Sequence, residues 1–200
     1  AEHTLIYNGR KLHVTPSKTT LIPRIEGRFN FVSIGHISHV KNHILLCSAI
    51  TQLIEQGAPI ELYMFGRTVD EGILKSIKNL NNPHIHILGE RENPMQYLST
   101  GDVYCMTSKI EGMPISLIEA LACGLIPICT AVGGIVDMID DGSTGFLSYD
   151  QTTESYIKAI ERFLTLSHTD IDLMKQKCKD AAQQYSIERC AAQYEILFSK

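Results

Sequence analysis

Two carboxylates eight positions apart, Glu111 and Glu119, bracket the stretch Glu111-Gly112-Met113-Pro114-Ile115-Ser116-Leu117-Ile118-Glu119-Ala120. Gly112 and Met113 can present bare backbone N–H groups ahead of a helix that Pro114 opens at its first turn. Such amides, with the positive end of a helix behind them, suit an anionic or hydroxyl-rich ligand. Glu119 lies further along the same helix and could point back to the crevice. The alternative is structural, because Ser116 and Glu119 also match the S-x-x-E capping box. A second candidate is Gly35-His36-Ile37-Ser38-His39-Val40-Lys41-Asn42, where a glycine permits close backbone approach and Lys41 just precedes a helix, as in a phosphate cradle. Gly66-Arg67-Thr68 and Gly89-Glu90-Arg91 each add a flexible turn with a basic side chain. Ala131-Val132-Gly133-Gly134 adds a paired-glycine turn.

These loops need a scaffold, and the apolar runs supply one. Strands are expected at Phe29 to Ile34, Ile60 to Phe65, Ile85 to Leu88, Val103 to Met106, Ile126 to Cys129 and Gly145 to Leu147. Between them lie helical stretches, Asn42 to Gln56 (closed by Gly57), Glu71 to Leu80, Pro94 to Ser99 and Pro114 or Ser116 to Ala122. Largely apolar strands alternating with helices imply an α/β fold, a doubly wound parallel sheet covered on both faces. Ligands of such a sheet bind outside the carboxyl ends of the strands, where every candidate loop falls. Residues 1–24, with the lone apolar pair Leu5 and Ile6, an Asn8-Gly9 turn and two prolines, read as a linker. Residues 25–168 read as the ligand-binding domain and 169–200 as C-terminal helices. Toward the C-terminus, helices are expected at Thr153 to Leu164, Asp170 to Gln184 and Ser186 to Phe198. The last carries a stripe of Ile187, Cys190, Ala191, Tyr194 and Leu197 that needs a partner surface.

Composition excludes several classes. The 200 residues include 22 acidic and 18 basic ones, for a net charge of −4, and 44% are hydrophobic. No Lys/Arg cluster occurs, which argues against a nucleic-acid partner or a polybasic membrane surface. No uncharged apolar run approaches the roughly 18 residues of a bilayer span, and the first residues lack the apolar block of a signal peptide. The expectation is a cytoplasmic protein. Six cysteines form no C-x-x-C pair and mostly sit in apolar runs such as VYCM and IPICT, as reduced core thiols do. His36, His39, His43 and Cys47 have metal-like spacing, but Cys47 lies in the apolar run ILLC and no carboxylate is near, so no metal is expected. The chain holds no G-x-G-x-x-G, no G-x-x-x-x-G-K-[ST] and no H-E-x-x-H, which weakens dehydrogenase, P-loop and zincin readings.

The ordered blocks Glu111-Gly112 with Pro114 through Glu119-Ala120, then Ala122-Cys123-Gly124-Leu125-Ile126-Pro127, Gly133-Gly134 with Asp137, and Asp141-Gly142 through Gly145-Phe146-Leu147 resemble one family. It is the C-terminal, donor-binding half of retaining GT-B glycosyltransferases of the family 4 type, and the resemblance runs from residue 5 to residue 198. It implies a donor site for a nucleoside-diphosphate sugar, UDP- or GDP-linked, with no metal and no separate cofactor. Lys41 would neutralise the donor diphosphate and Glu111 would bind the sugar hydroxyls, these two being the catalytic members. Gly112, Met113, Pro114 and Ile115 would lie beside the sugar and Glu119 would hold the ribose. Gly35, His36, Arg67, Glu90 and Arg91 complete the expected donor surface, with Gly89 to Arg91 bordering the nucleobase. The family usually has Arg at the position of His36 and Glu at that of Asp137. Arg67 or Arg91 could supply the charge that a histidine does not carry permanently. Ile6 to Gly9 resembles the end of an interdomain segment, and Tyr185 to Leu197 a helix that crosses back to an N-terminal, acceptor-binding domain. The expected function is therefore hexosyl transfer to a saccharide or lipid-linked acceptor held mainly by that domain, in polysaccharide biosynthesis, with possible peripheral membrane association. A GT-B epimerase and a non-catalytic nucleotide-sugar-binding module are the alternatives.

Overall fold

Six parallel strands form the core of the computed structural model, which describes residues 6–12 and 22–199. They are β1 (Phe29–Ile34), β2 (Ile60–Phe65), β3 (Ile85–Gly89), β4 (Val103–Met106), β5 (Ile126–Thr130) and β6 (Phe146–Ser148), in the order β3-β2-β1-β4-β5-β6. All ladders are parallel, Phe31 of β1 pairing with Leu62 on one side and Val103 on the other. β2, β4 and β5 are buried throughout, as strands covered on both faces must be. β3 is half-buried at the sheet's edge.

One face carries α1 (His43–Glu55), α2 (Glu71–Asn79) and α6 (Thr153–Leu164). There Phe163 of α6 meets Phe29 and Phe31 edge-on, at ring separations of 5.0 and 5.8 Å. The other face carries α3 (Pro94–Leu98), α4 (Ile115–Cys123) and α7 (His168–Ala182). On it Tyr97 packs on Phe65, and the Tyr104 hydroxyl donates to Ser116 at 2.7 Å. The helix α7 buries Ile171, Met174, Cys178 and Ala182 and packs along α4. Its Lys175 reaches Asp102, which also accepts from Arg24 and from the Asn30 amide.

Helix starts follow local capping. The side chains of Asp70, Thr152, Ser167 and Ser186 accept from the third following amide at α2, α6, α7 and α8 (Ile187–Phe198). Ser167 starts α7 two residues before the pattern indicated, and Gln183–Tyr185 tighten into a 3-10 turn. A short α5 (Ile135–Met138) follows the paired glycines, where a turn alone was expected. Leu5 lies outside the described residues. Residues 6–12 dock on the C-terminal part of the chain: the Arg10 amide donates to the Tyr185 carbonyl at 2.8 Å, and the Ile187 amide to the Arg10 carbonyl at 3.0 Å. Tyr7 and Tyr185 meet edge-on at 5.7 Å. The helix α8 buries none of its residues. Among the described residues, no helix is long and apolar enough to cross a membrane.

Candidate functional site

The strand order reverses between β1 and β4, so the loops leaving these two strands open a crevice at their carboxyl ends. The β1 loop delivers Lys41 and the β4 loop delivers Glu111. Their side chains meet there, Lys41 Nζ on Glu111 Oε1. Ser108, three residues before Glu111, donates its hydroxyl to the same oxygen at 2.7 Å. The two loops are also stitched together by backbone. Thr107 Oγ1 donates to the Lys41 and Asn42 carbonyls at 3.0 and 3.1 Å, and the Lys109 amide donates to the Val40 carbonyl at 2.8 Å. Gly35 lies alongside the Lys41 stem, where a Cβ would meet Cε and Cδ at 3.5 and 3.6 Å, ordinary van der Waals contact.

Gly133 and Gly134 buttress the acidic loop from below. The Gly134 amide donates to the Gly112 carbonyl at 2.9 Å, and Gly133 sits at φ +52° with its α-carbon against the Glu111 carbonyl. A side chain at Gly133 would overlap that carbonyl. The sequence marked the paired glycines as a turn without linking them to Glu111.

Beside the Lys41–Glu111 pair, a cavity of about 180 Å³ is lined by Gly35, His36, Gly66, Arg67, Glu90 and Arg91. Three loops that are far apart in sequence thus converge as expected, and Arg67 and Arg91 share the cavity with His36. The close approach of the first two loops depends on Gly66, whose φ is +146° and whose α-carbon abuts the Gly35 carbonyl. Between them the Ile37 amide donates to the Arg67 carbonyl at 3.0 Å.

Pro114 is the N-cap of α4 and is buried, while Gly112 and Ile115 are exposed and Met113 is half-buried. The helix therefore begins one residue before Ser116 could cap it. Ser116 instead receives the Tyr104 hydroxyl, and no side-chain cap forms. The capping-box alternative for Glu119 is thereby removed. Glu119 is 5% exposed, and its Oε1 accepts from Nε of Arg10 at 2.7 Å and pairs with the Nη2 of the same guanidinium. Arg10 carried no signal in the sequence: a contact across 109 residues has no periodicity to reveal it. Ser108 was closer to legible, as a hydroxyl three positions before a loop carboxylate.

Electrostatics set the remaining groups apart. His43, in the first turn of α1, is 3% exposed and its Nδ1 has no hydrogen-bond partner. Burial, and then the charge of Lys41, lower its pKa from 6.5 to about 4, so it is a neutral imidazole beside a cation. Burial pushes the thiols of Cys47, Cys105, Cys123 and Cys178 up to about 12, which leaves them unreactive at neutral pH. All six cysteines are free. Cys47 lies against the Met64 sulfur, away from any metal-like arrangement, and the described residues contain no group of three side chains placed to hold a metal ion.

A parallel sheet in this order, with a cationic and an acidic loop joined at its switch point, defines a Rossmann-like α/β domain. Residues 22–185 match the family described as glycosyl transferases group 1, and the chain belongs to that family. It is 28% identical over 127 residues to N-acetyl-alpha-D-glucosaminyl L-malate synthase of Bacillus anthracis, covering 63% of this chain and 33% of the relative. It is 24% identical over 171 residues to glycogen synthase of Pseudomonas syringae pv. syringae, covering 84% of this chain and 35% of the relative. The chain thus spans about a third of the length of these relatives. The crystal structure of Anabaena HepE in complex with UDP and glucose superposes with a TM-score of 0.83 at 18% identity, over 98% of this chain and 56% of HepE. The fold is that of one half of a GT-B architecture.

Proposed function

We propose that this chain is the donor-binding half of a retaining glycosyltransferase. It takes a nucleoside-diphosphate sugar and presents the sugar to a saccharide or lipid-linked acceptor held mainly by another domain. The observation that carries this reading is the meeting of Lys41 and Glu111 at the sheet's switch point. The two groups have complementary tasks. The ammonium neutralises a phosphate, and the carboxylate accepts from sugar hydroxyls, so one ligand bearing both can replace the ion pair with better-matched partners. As the bond from the sugar's anomeric carbon to the diphosphate breaks, charge accumulates on the leaving oxygen. Lys41 and the N-terminus of α1 stabilise it. Exposed amides around Gly112 border the sugar, and the cavity between His36, Arg67 and Arg91 takes the nucleotide. No metal enters this scheme. Membership of glycosyl transferases group 1 supports it, as does the UDP bound in HepE, whose fold this chain shares.

The direct test is a ligand-observed NMR titration of this chain with UDP, GDP, ADP and NAD, repeated on Lys41→Ala. Saturation transfer to one nucleoside diphosphate, lost in the variant and absent for NAD, is the expected result. Binding of NAD in preference to the diphosphates, or nucleoside diphosphate binding that ignores Lys41, would overturn the assignment.

A further inference from the structure

Arg10 stands apart from every residue that the loops of the sheet bring together. It belongs to the N-terminal segment, and its backbone is fixed by the two hydrogen bonds that bridge it to Tyr185 and Ile187. Gly9 permits this approach, since a Cβ there would come within 2.6 Å of Cys190 Cβ and 2.8 Å of Ile187 Cα. From this fixed point the guanidinium reaches Glu119 on α4 and binds Oε1 through both Nε and Nη2. Among the described residues, Oε2 of Glu119 accepts no hydrogen bond, although the side chain is 5% exposed. A carboxylate so far removed from water is costly to hold unless it is paired, and a pair that occupies one oxygen leaves the other to a ligand. Ser116, the other polar side chain on this part of α4, is committed to Tyr104 and cannot help to orient it.

We infer that Arg10 is a positioning residue for ribose recognition: it pins Oε1 of Glu119 so that Oε2 is presented to the ribose diol of the bound nucleotide. The inference rests on the proposed donor site and adds a residue outside it. It also links that site to the segment that crosses residues 185–187, because any shift of the Arg10 backbone moves the guanidinium that aims Glu119. The Arg10 side chain is 47% exposed, so replacing it opens no cavity, and the cost falls on the buried Glu119 carboxylate that loses its cation.

The test measures dissociation constants of UDP, GDP and ADP, of their 2′,3′-dideoxy counterparts and of inorganic diphosphate, for the wild type, Arg10→Ala and Arg10→Lys. For the nucleoside diphosphate that binds, Arg10→Ala should raise the dissociation constant by about five- to tenfold, as the mispositioned Glu119 keeps only part of its charge-assisted hydrogen bond to the ribose. Inorganic diphosphate and the dideoxy analogue, which lack the diol, should change by less than about twofold. Arg10→Lys, which keeps the charge without the fork, should recover part of the loss. A general disturbance of the fold would weaken all the probes together and would overturn the inference. So would tighter nucleotide binding by Arg10→Ala, which would make Arg10 a competitor of the ribose. If the wild type binds a nucleoside diphosphate and Arg10→Ala binds it equally well, the inference fails and the donor site stands. If the wild type binds none of them, both fall.

Discussion

The stability of this protein should fall as pH drops from neutrality toward 4.5, and one histidine should account for a definable share of the loss. His43 is buried and neutral in the native state, with a pKa lowered from 6.5 to about 4 by burial and by Lys41. Between those values the unfolded chain takes up a proton that the folded chain refuses, so unfolding gains at the expense of the native state as pH falls. Each tenfold change in proton affinity is worth about 1.4 kcal/mol, which gives about 2–3 kcal/mol lost at pH 4.5 and about 3–4 kcal/mol once both states are protonated. Asp102 acts in a lower window. Burial pushes its carboxyl up, but hydrogen bonds from Arg24, Lys175 and the Asn30 amide reverse this and leave it below 3.8, so its contribution is lost only in stronger acid. The assay is urea unfolding of the wild type and His43→Leu between about pH 7.5 and 4.5. The other histidines cancel in the difference. The variant has no imidazole to protonate, so it should lose about 2–3 kcal/mol less than the wild type over this range, and removal of the orphaned Nδ1 should raise its stability at every pH. Parallel loss in the two proteins, or an imidazole that titrates near 6.5 in the native protein by NMR, would refute the reasoning.

Three further outcomes follow from the site. Glu111→Gln should leave binding of the free nucleoside diphosphate unchanged or tighter, because Lys41 loses its competitor, while the sugar transfer proposed for this site falls by about tenfold or more; calorimetry and turnover separate the two effects. Gly133→Ala drives a methyl group into the Glu111 carbonyl at a positive φ, and should cost more in thermal unfolding than the about 1–3 kcal/mol of the backbone conformation alone, together with a loss of donor affinity. Ser108→Ala removes one of two donors to Glu111 Oε1 and should weaken donor-sugar binding by about fivefold while nucleoside diphosphate binding, measured by calorimetry, hardly changes.

The strands were legible because burial on both faces writes them as short, largely apolar runs. Val103–Met106 begins and ends where its run does, and Ile60–Phe65 does so despite the buried Glu61 within it. Once the sheet was legible, so was the edge at which Gly35, Arg67 and Arg91 had to meet, because a parallel sheet delivers all its strand ends to one side. The partners of these groups were not. The Glu111 and Lys41 side chains lie 70 residues apart in sequence and meet only because β4 sits next to β1, which is a matter of strand order. The capping-box spacing of Ser116 and Glu119 pointed the other way, and tertiary context decided against it. Tyr104 takes Ser116 and Arg10 takes Glu119. Gly133 and Gly134 carried their turn in the sequence but not their target, since a glycine records a need for space without naming what fills it.

The Lys41–Glu111 pair bears on which ligands the crevice can select. The ammonium is 27% exposed and the carboxylate 12%, so each would be left partly desolvated and uncompensated if its partner were taken away alone. Inorganic phosphate or a bare nucleotide can engage Lys41, but it strands Glu111 beside added negative charge. A neutral sugar can engage Glu111, but it strands Lys41. Only a ligand that carries an anion and hydroxyl donors on one framework, at the spacing of the two side chains, replaces both halves of the pair at once. On the proposed reading as a donor site, the ion pair penalises partial ligands and would disfavour retention of the diphosphate once its sugar has gone, because Lys41 could then return to Glu111. The same logic assigns Ser108 its place. By holding Oε1 on the Lys41 side, it keeps the two charges registered with each other in the free protein and leaves the second carboxylate oxygen of Glu111 to meet the incoming hydroxyls.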